Sequence, residues 1–204
     1  MRHALLVSAA LLLAACPDPA KDKPKAVVTA PAPAPKAEVA VAPLEGAVAY
    51  PFTQESSKLA FTGAKLTGKH EGGFGTFGGI IEVVGGDATN MGSVVSDAEK
   101  LTGHLKSPDF FDVAQFPQAK FVSTGIKANE GGDFTVTGEL TLHGVTKGIS
   151  FPAKITLTAD EVTVAAEFAI NRKDFGIVYP GKPDDLIADN VALKLDLHAK
   201  KKAP

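Results

Sequence analysis

From about residue 44 onward, apolar and polar residues alternate along the chain. Residues 133–142 show it most strictly: Phe134, Val136, Gly138, Leu140 and Leu142 fall on one side, Asp133, Thr135, Thr137, Glu139 and Thr141 on the other. Side chains on a strand point to opposite faces in turn, so this spacing predicts a strand with one dry and one wet face. The pattern recurs with Ile149, Phe151, Ala153, Ile155 and Leu157, with Val162, Val164, Ala166, Phe168 and Ile170, and with Val191, Leu193, Leu195 and Leu197. Weaker alternation predicts strands at 58–65, 75–84, 93–97 and 120–127. The segments Asn129-Glu130-Gly131-Gly132, His143-Gly144-Val145-Thr146 and Ala159-Asp160-Glu161 read as tight connections. Up to eight strands in sequence predict an all-β fold, an antiparallel meander closing on itself as a barrel of about eight strands with a short helix. A barrel of that size is filled by side chains or holds one small ligand.

Two stretches break the alternation. In residues 103–113, Ser107 is a good N-cap, Pro108 suits a first helical position and Asp109 complements the positive helix start. A short helix is predicted to begin there, pressing Phe110 and Phe111 toward the barrel. Residues 179–189, rich in Pro, Gly and Asp, predict a surface loop.

The chain before residue 44 has another character. Arg2 and His3 precede an apolar run at residues 4–13, too short for a permanent span of about 20 residues but suited to a secretion signal. It ends in Leu13-Ala14-Ala15-Cys16, which resembles the lipobox of bacterial lipoproteins. That resemblance implies a diacylglyceryl group on Cys16; the alternative is an ordinary secretion signal ending near a cysteine. Residues 17–43 carry seven of the chain's fourteen prolines. Proline blocks helix and sheet pairing, so the segment reads as an extended tether reaching up to about 80 Å. The expected organisation is a signal peptide at 1–15, a lipidated Cys16 with a Pro/Ala-rich tether over 16–43, and a barrel domain over 44–204.

Composition narrows the function. A formal net charge of −2 over 204 residues argues against a nucleic-acid partner, which needs a basic surface. One cysteine permits neither an internal disulfide nor a multi-cysteine zinc site. There is no Gly-x-Ser-x-Gly elbow, His-Glu-x-x-His, phosphate loop or dinucleotide fingerprint. His3, His70, His104, His143 and His198 show no metal-ligand spacing. No catalytic residue, metal or cofactor is assigned, and the chain is not read as an enzyme.

Six motifs, in order, resemble the YceI-like family of bacterial polyisoprenoid-binding proteins. They are Gly72-Gly73-Phe74 with Phe77-Gly78-Gly79-Ile80; Leu101-Thr102-Gly103-His104-Leu105 running to Phe110-Phe111-Asp112-Val113; Phe116-Pro117 with Phe121; the run from Gly138 to Thr146; Asn171-Arg172-Lys173-Asp174-Phe175-Gly176; and Asp189-Asn190-Val191. The resemblance implies a lipocalin-like barrel with a long apolar channel for an isoprenoid lipid, a polyprenyl phosphate or a prenyl-quinone. Lipocalin-like describes shape alone, since true lipocalins carry a tryptophan near the barrel start and this chain has none.

The candidate ligand contacts are Phe74, Phe77, His104, Phe110, Phe111, Phe121, His143, Arg172, Asp174 and Phe175. Each has a plainer reading. The phenylalanines pack a core, Arg172 pairs with Asp174 to hold a loop, and the two histidines are buried and hydrogen-bonded. The functional reading places Arg172 on a phosphate or quinone oxygen at the channel mouth. The expected function is a membrane-anchored envelope lipoprotein, its domain outside the cytoplasm, binding, carrying or sequestering an isoprenoid lipid. The alternatives are a tethered interaction module with a filled barrel and, least favoured, an enzyme acting on a lipid head group.

Overall fold

The computed structural model describes residues 18–31, 49–81, 86–90, 94–96 and 98–201. The apolar run, Cys16 and the predicted cleavage point lie outside the described residues. The strands are β1 Val27–Thr29, β2 Tyr50–Thr53, β3 Lys58–Lys65, β4 Gly68–Phe74, β5 Phe77–Ile81, β6 Gly86–Asn90, β7 Val94–Ser96, β8 Gln118–Ala128, β9 Phe134–Leu142, β10 Val145–Leu157, β11 Glu161–Asn171, β12 Gly181–Lys182, β13 Asp185–Leu186 and β14 Asn190–Lys200. Among the described residues, one α-helix, α1 Glu99–Lys106, and one 3-10 turn, Arg172–Phe175, are placed between these strands. The main sheet runs β2-β5-β6-β8-β9-β10-β11-β14-β3-β4-β7, with β1 against β10. Its ladders are antiparallel.

The strict alternation of 133–142 becomes β9, whose Val136 and Leu142 are buried. It pairs with β10 through a two-residue turn in which His143 and Gly144 both take positive φ, 50° and 72°. Such a turn matches the twist of its strands, and glycine adopts that backbone without strain. On β10, Ile149, Phe151 and Ala153 face the interior and are buried. At Gly138 a Cβ would meet the Phe121 ring at 2.4 Å, so the missing side chain makes room for the phenylalanine on β8.

The expected eight-strand meander needs correction in strand count and order. The main sheet has twelve strands among the described residues, and β14 enters between β11 and β3. No ladder joins β2 to β7 among the described residues, so the hydrogen-bonded path is open. Yet β4 and β5 lie near opposite ends of that path and are linked only by residues 75–76. Three peptide steps reach at most about 11 Å, so the sheet must curl until its ends approach. Strands β4 (GKHEGGF) and β6 (GDATN) carry too few apolar residues to show a period-2 pattern.

The helix is displaced from its predicted place. It covers Glu99–Lys106 and ends at Ser107, whose φ of −76° and ψ of 170° are extended. Proline disfavours helical backbone at the residue before it, so Pro108 stops a helix here instead of starting one. Ser107 Oγ donates to the His104 carbonyl at 2.7 Å, making it a C-terminal cap. Phe110 and Phe111 then ride on the turn that follows. Within 179–189, read as a loop, β12 and β13 form a small hairpin.

The expected tether is also corrected where it is described. Strands β10 and β11 pair only from Lys154↔Ala165 to Leu157↔Val162 and splay beyond. Residues 24–29 fill the gap: β1 pairs with Gly148–Ser150, Ala26 N–H donates to the Ala169 carbonyl at 2.8 Å, and Ala169 N–H donates to the Pro24 carbonyl at 2.9 Å. Ala20 is fully buried against Ala169 and Ala192, two residues on the outer face of β11 and β14. A lone proline costs one donor; the alanines between supply the contacts, and the ladder supplies partners for the remaining amides.

Candidate functional site

The inner face of the curled sheet encloses a cavity of about 440 Å³ with a predominantly apolar wall. At its far end Phe52, Phe77 and Leu197 are buried and close it. Along its middle, Phe151 and Phe168 stack with centroids 4.1 Å apart, and Phe121 tilts against Phe151 at 5.7 Å. Phe74 lies between Phe61 (5.8 Å) and Phe111 (6.3 Å). Val191, Leu193 and Leu195 of β14 point inward yet are only half-buried, because they face open space. Gly63 lines the wall, and a Cβ there would meet nothing within 4 Å.

The near end is built from loops. Leu101 and Leu105 of α1 and the turn residues Phe110 and Phe111 cover one side. His104 Nε2 lies 2.7 Å from Asp109 Oδ2, and its ring meets Phe110 and Tyr179 edge-on at 4.9 and 5.0 Å. The other side is the β12–β13 hairpin, whose Lys182, Asp185 and Ile187 neighbour Lys65 and His70 on the wall. Asp185 accepts from Lys65 Nζ, from Thr67 N–H (3.1 Å) and from Thr67 Oγ1 (2.9 Å). Its carboxyl is held below the usual range, first by the Lys65 hydrogen bond, with desolvation opposing and Thr67 assisting. The polar lining residues gather here, which marks the mouth.

Arg172 does not pair with Asp174. It is 4% exposed, and its Nε, NH1 and NH2 donate to the carbonyls of Ala188 (3.0 Å), Ile177 (2.7 Å) and Ile187 (3.3 Å). NH2 also lies 3.5 Å from Asp189 Oδ1. Burial pushes the guanidinium pKa down and Asp189 opposes the shift. The planar fork thus gathers both ends of the 177–189 loop. The rest of this motif is equally structural: Asn171 Oδ1 accepts from Lys173 N–H at 2.9 Å, Phe175 is fully buried, and Gly176 takes a φ of 76°. Among the described residues every buried side-chain nitrogen and oxygen has a hydrogen-bond partner.

Of the ten expected ligand contacts, Phe74, Phe77, His104, Phe110, Phe111, Phe121 and Arg172 line the cavity. His143, Asp174 and Phe175 lie outside its wall. His143 donates from Nδ1 to the Phe175 carbonyl at 3.2 Å and packs edge-on against Phe116, tying the β9–β10 turn to the 3-10 turn. Tyr179 and the Lys65–Asp185 pair at the mouth were missed. Nothing in the local sequence brings Lys65 to Asp185, since 120 residues separate them.

A profile of the YceI-like domain matches residues 50–199. The UPF0312 protein of Pseudomonas fluorescens (strain SBW25) is 38% identical over 108 residues, which is 50% of this chain and 56% of that one. Protein YceI of Salmonella newport (strain SL254) is 40% identical over 94 residues, 43% of this chain and 49% of that one. The chain thus spans about half the length of the curated relatives it matches. Among solved structures, BcnA of Burkholderia cenocepacia superposes with a TM-score of 0.65 at 22% identity, covering 72% of this chain and 99% of that one. A polyisoprenoid binding domain from Saccharophagus degradans gives 0.63 at 18%, covering 76% and 98%. At these identities the likeness shows the fold. With the profile matched across the curled sheet and its helix, the chain belongs to the YceI-like family.

Proposed function

We propose that this protein binds an isoprenoid lipid, with the prenyl tail in the apolar cavity and the polar head at the mouth, and that it acts as a carrier or sequestering protein and not as an enzyme. The observation that carries this is the continuous apolar cavity of about 440 Å³. A cavity near 150 Å³ holds benzene, so this one has room for about 18 carbons, three to four prenyl units. At about 0.8 kcal/mol per buried methylene the gross gain is about 14 kcal/mol, part of which offsets the cost of association. That stays under the practical affinity ceiling near −18 to −21 kcal/mol, and a longer tail would extend through the mouth. The Saccharophagus degradans relative is described as a polyisoprenoid binding domain, which supports the tail chemistry. A polyprenyl phosphate or a prenyl-quinone would place its head beside Lys65, His70 and Lys182. The sheet would then close as a barrel about the tail, its ends held by the 75–76 link. A tethered interaction module with a filled interior is disfavoured by the cavity itself.

The same reading makes Cys16 the site of lipidation, holding the domain to an envelope membrane outside the cytoplasm. Its support is Leu13-Ala14-Ala15-Cys16 after the apolar run. Mass spectrometry of lipid extracted from protein purified out of its native envelope tests the cavity. A prenyl lipid is expected, and empty protein that ignores geranylgeraniol in calorimetry would overturn the assignment. Cys16→Ala should release the protein from membranes or leave it unprocessed; fractionation and processing like the parent would end the anchor reading.

A further inference from the structure

We propose that the mouth end of the sheet docks on an uncharged phospholipid surface, so that the cavity opens onto the bilayer. The proposal rests on the cavity being a lipid site. Large apolar side chains stand in solvent at this end: Leu66 is 53%, Val178 62% and Leu186 47% exposed. They lie on the β3–β4 turn and the 178–187 loop, which form one surface. Leu66 N–H donates to the Leu186 carbonyl at 3.2 Å, and Ala188 N–H donates to the Ala64 carbonyl at 2.8 Å. These loops also carry the cavity mouth, through Lys65, Tyr179, Lys182 and Asp185. The folded N-terminal segment enters here too, since Asp18 lines a shallow depression with Leu66, Lys173 and Leu186. Cys16 is two residues upstream of Asp18, a reach of about 7 Å. An acyl group on Cys16 would therefore hold this end, and not the opposite one, at the membrane.

The charges decide the lipid class. Lys65 pairs with Asp185, Lys69 with Glu71 at 3.5 Å, and Lys173 with Asp189 at 2.8 Å, while Lys182 is matched in charge by Asp184 of the same hairpin. Paired lysines leave little field to attract an anionic surface, so apolar insertion carries the docking. Leu157 (68%) and Ile126 (51%) are exposed at the far end, but there Phe52, Phe77 and Leu197 close the cavity.

The test uses the chain from residue 16 onward with Cys16→Ser, which removes the apolar run at 4–13 as a competing anchor and leaves an introduced cysteine as the single thiol. Val178→Cys and, separately, Leu157→Cys carry an environment-sensitive fluorophore, with phosphatidylcholine vesicles bearing a nitroxide quencher. Quenching at position 178 should exceed that at 157 several-fold and should change little with salt. Adding Leu66→Ser with Leu186→Ser should bring the signal at 178 down to that at 157. Equal quenching at both ends, a pattern that appears only with anionic phosphatidylglycerol, or indifference to the double substitution overturns the docking. Phe111→Asp, which should abolish tail binding, should leave the pattern in place. Loss of the pattern together with the tail would mean that the quenching reports cavity occupancy, and it too overturns the docking.

Discussion

Gly63→Phe separates a ligand cavity from a packed core in one experiment. Gly63 lies two residues from Phe61 on the inward face of β3, and a Cβ there meets nothing within 4 Å. A benzyl side chain would occupy about 150 Å³, roughly a third of the cavity, and displace about six tail carbons. At 0.8 kcal/mol per methylene the ceiling is about 5 kcal/mol; a tail that re-threads through the mouth recovers part, leaving about 3 kcal/mol, or roughly 100-fold in Kd. The fold should move the other way. Filling the void contributes about 1–2 kcal/mol, and removing a strand glycine about 0.5–1 kcal/mol. For a domain of this size that is a Tm rise of roughly 3–12 °C. Calorimetric titration with geraniol and geranylgeraniol, beside thermal unfolding by circular dichroism, reads both signs. Geranylgeraniol should lose most of its affinity and geraniol little, while Gly63→Ala should stabilise slightly and bind normally. A destabilised Gly63→Phe protein would mean that the space is not there. Unchanged geranylgeraniol affinity in a stable one would mean that the tail does not use it.

Other measurements follow from the corrected geometry. Arg172→Ala orphans three carbonyls and should cost about 3 kcal/mol or more in chemical denaturation, weakening phosphate-bearing and neutral prenyl lipids alike. A loss confined to the phosphate lipid would restore Arg172 as a head-group contact. Ala20→Asp sets a charge where exposure is 0% and should cost about 2–4 kcal/mol, whereas a free tether would show a change within about 0.5 kcal/mol. Asp185 has a folded-state pKa below its ordinary value of 3.8. Its hold on the hairpin is therefore complete above that value and lost as pH falls through the lower folded one. Protection of the Thr67 amide, taken relative to its intrinsic exchange rate, should fall below about pH 4, and Asp185→Asn should flatten that acid dependence; an unchanged profile would remove Asp185 as the pin.

The period-2 pattern by itself determined β3, β8, β9, β10, β11 and β14, because on each the residues toward the cavity are mostly apolar and those opposite mostly small or polar, and burial selects alternate residues; the outer-face burial of Ala169 and Ala192 beneath Ala20 leaves no mark in it. Its break at 103–113 also set Phe110 and Phe111 against the interior, though on a predicted helix where the structure has the turn after α1, and the pattern gave the Phe-rich inward positions that wall the cavity. Strands β4 and β6 escaped it because glycine and polar residues pair by backbone alone, and backbone pairing leaves no mark on side-chain choice. Ser107-Pro108 is ambiguous locally: the same two residues suit a helix start or a helix stop, and only the packing of Leu101 and Leu105 onto the cavity decides for the stop. The alanines of residues 18–31 resemble a spacer until the splay between β10 and β11 offers them a gap that small side chains and free amides fit. Asn171 to Gly176 reads as a binding motif by residue type, yet the tertiary structure spends Arg172 on the carbonyls of a loop up to 16 residues away. Whether an inward phenylalanine packs against a neighbour or faces a void depends on how far the sheet curls. That curvature is set by strand pairings such as Leu193↔Phe61, across 132 residues of sequence, which no local pattern encodes.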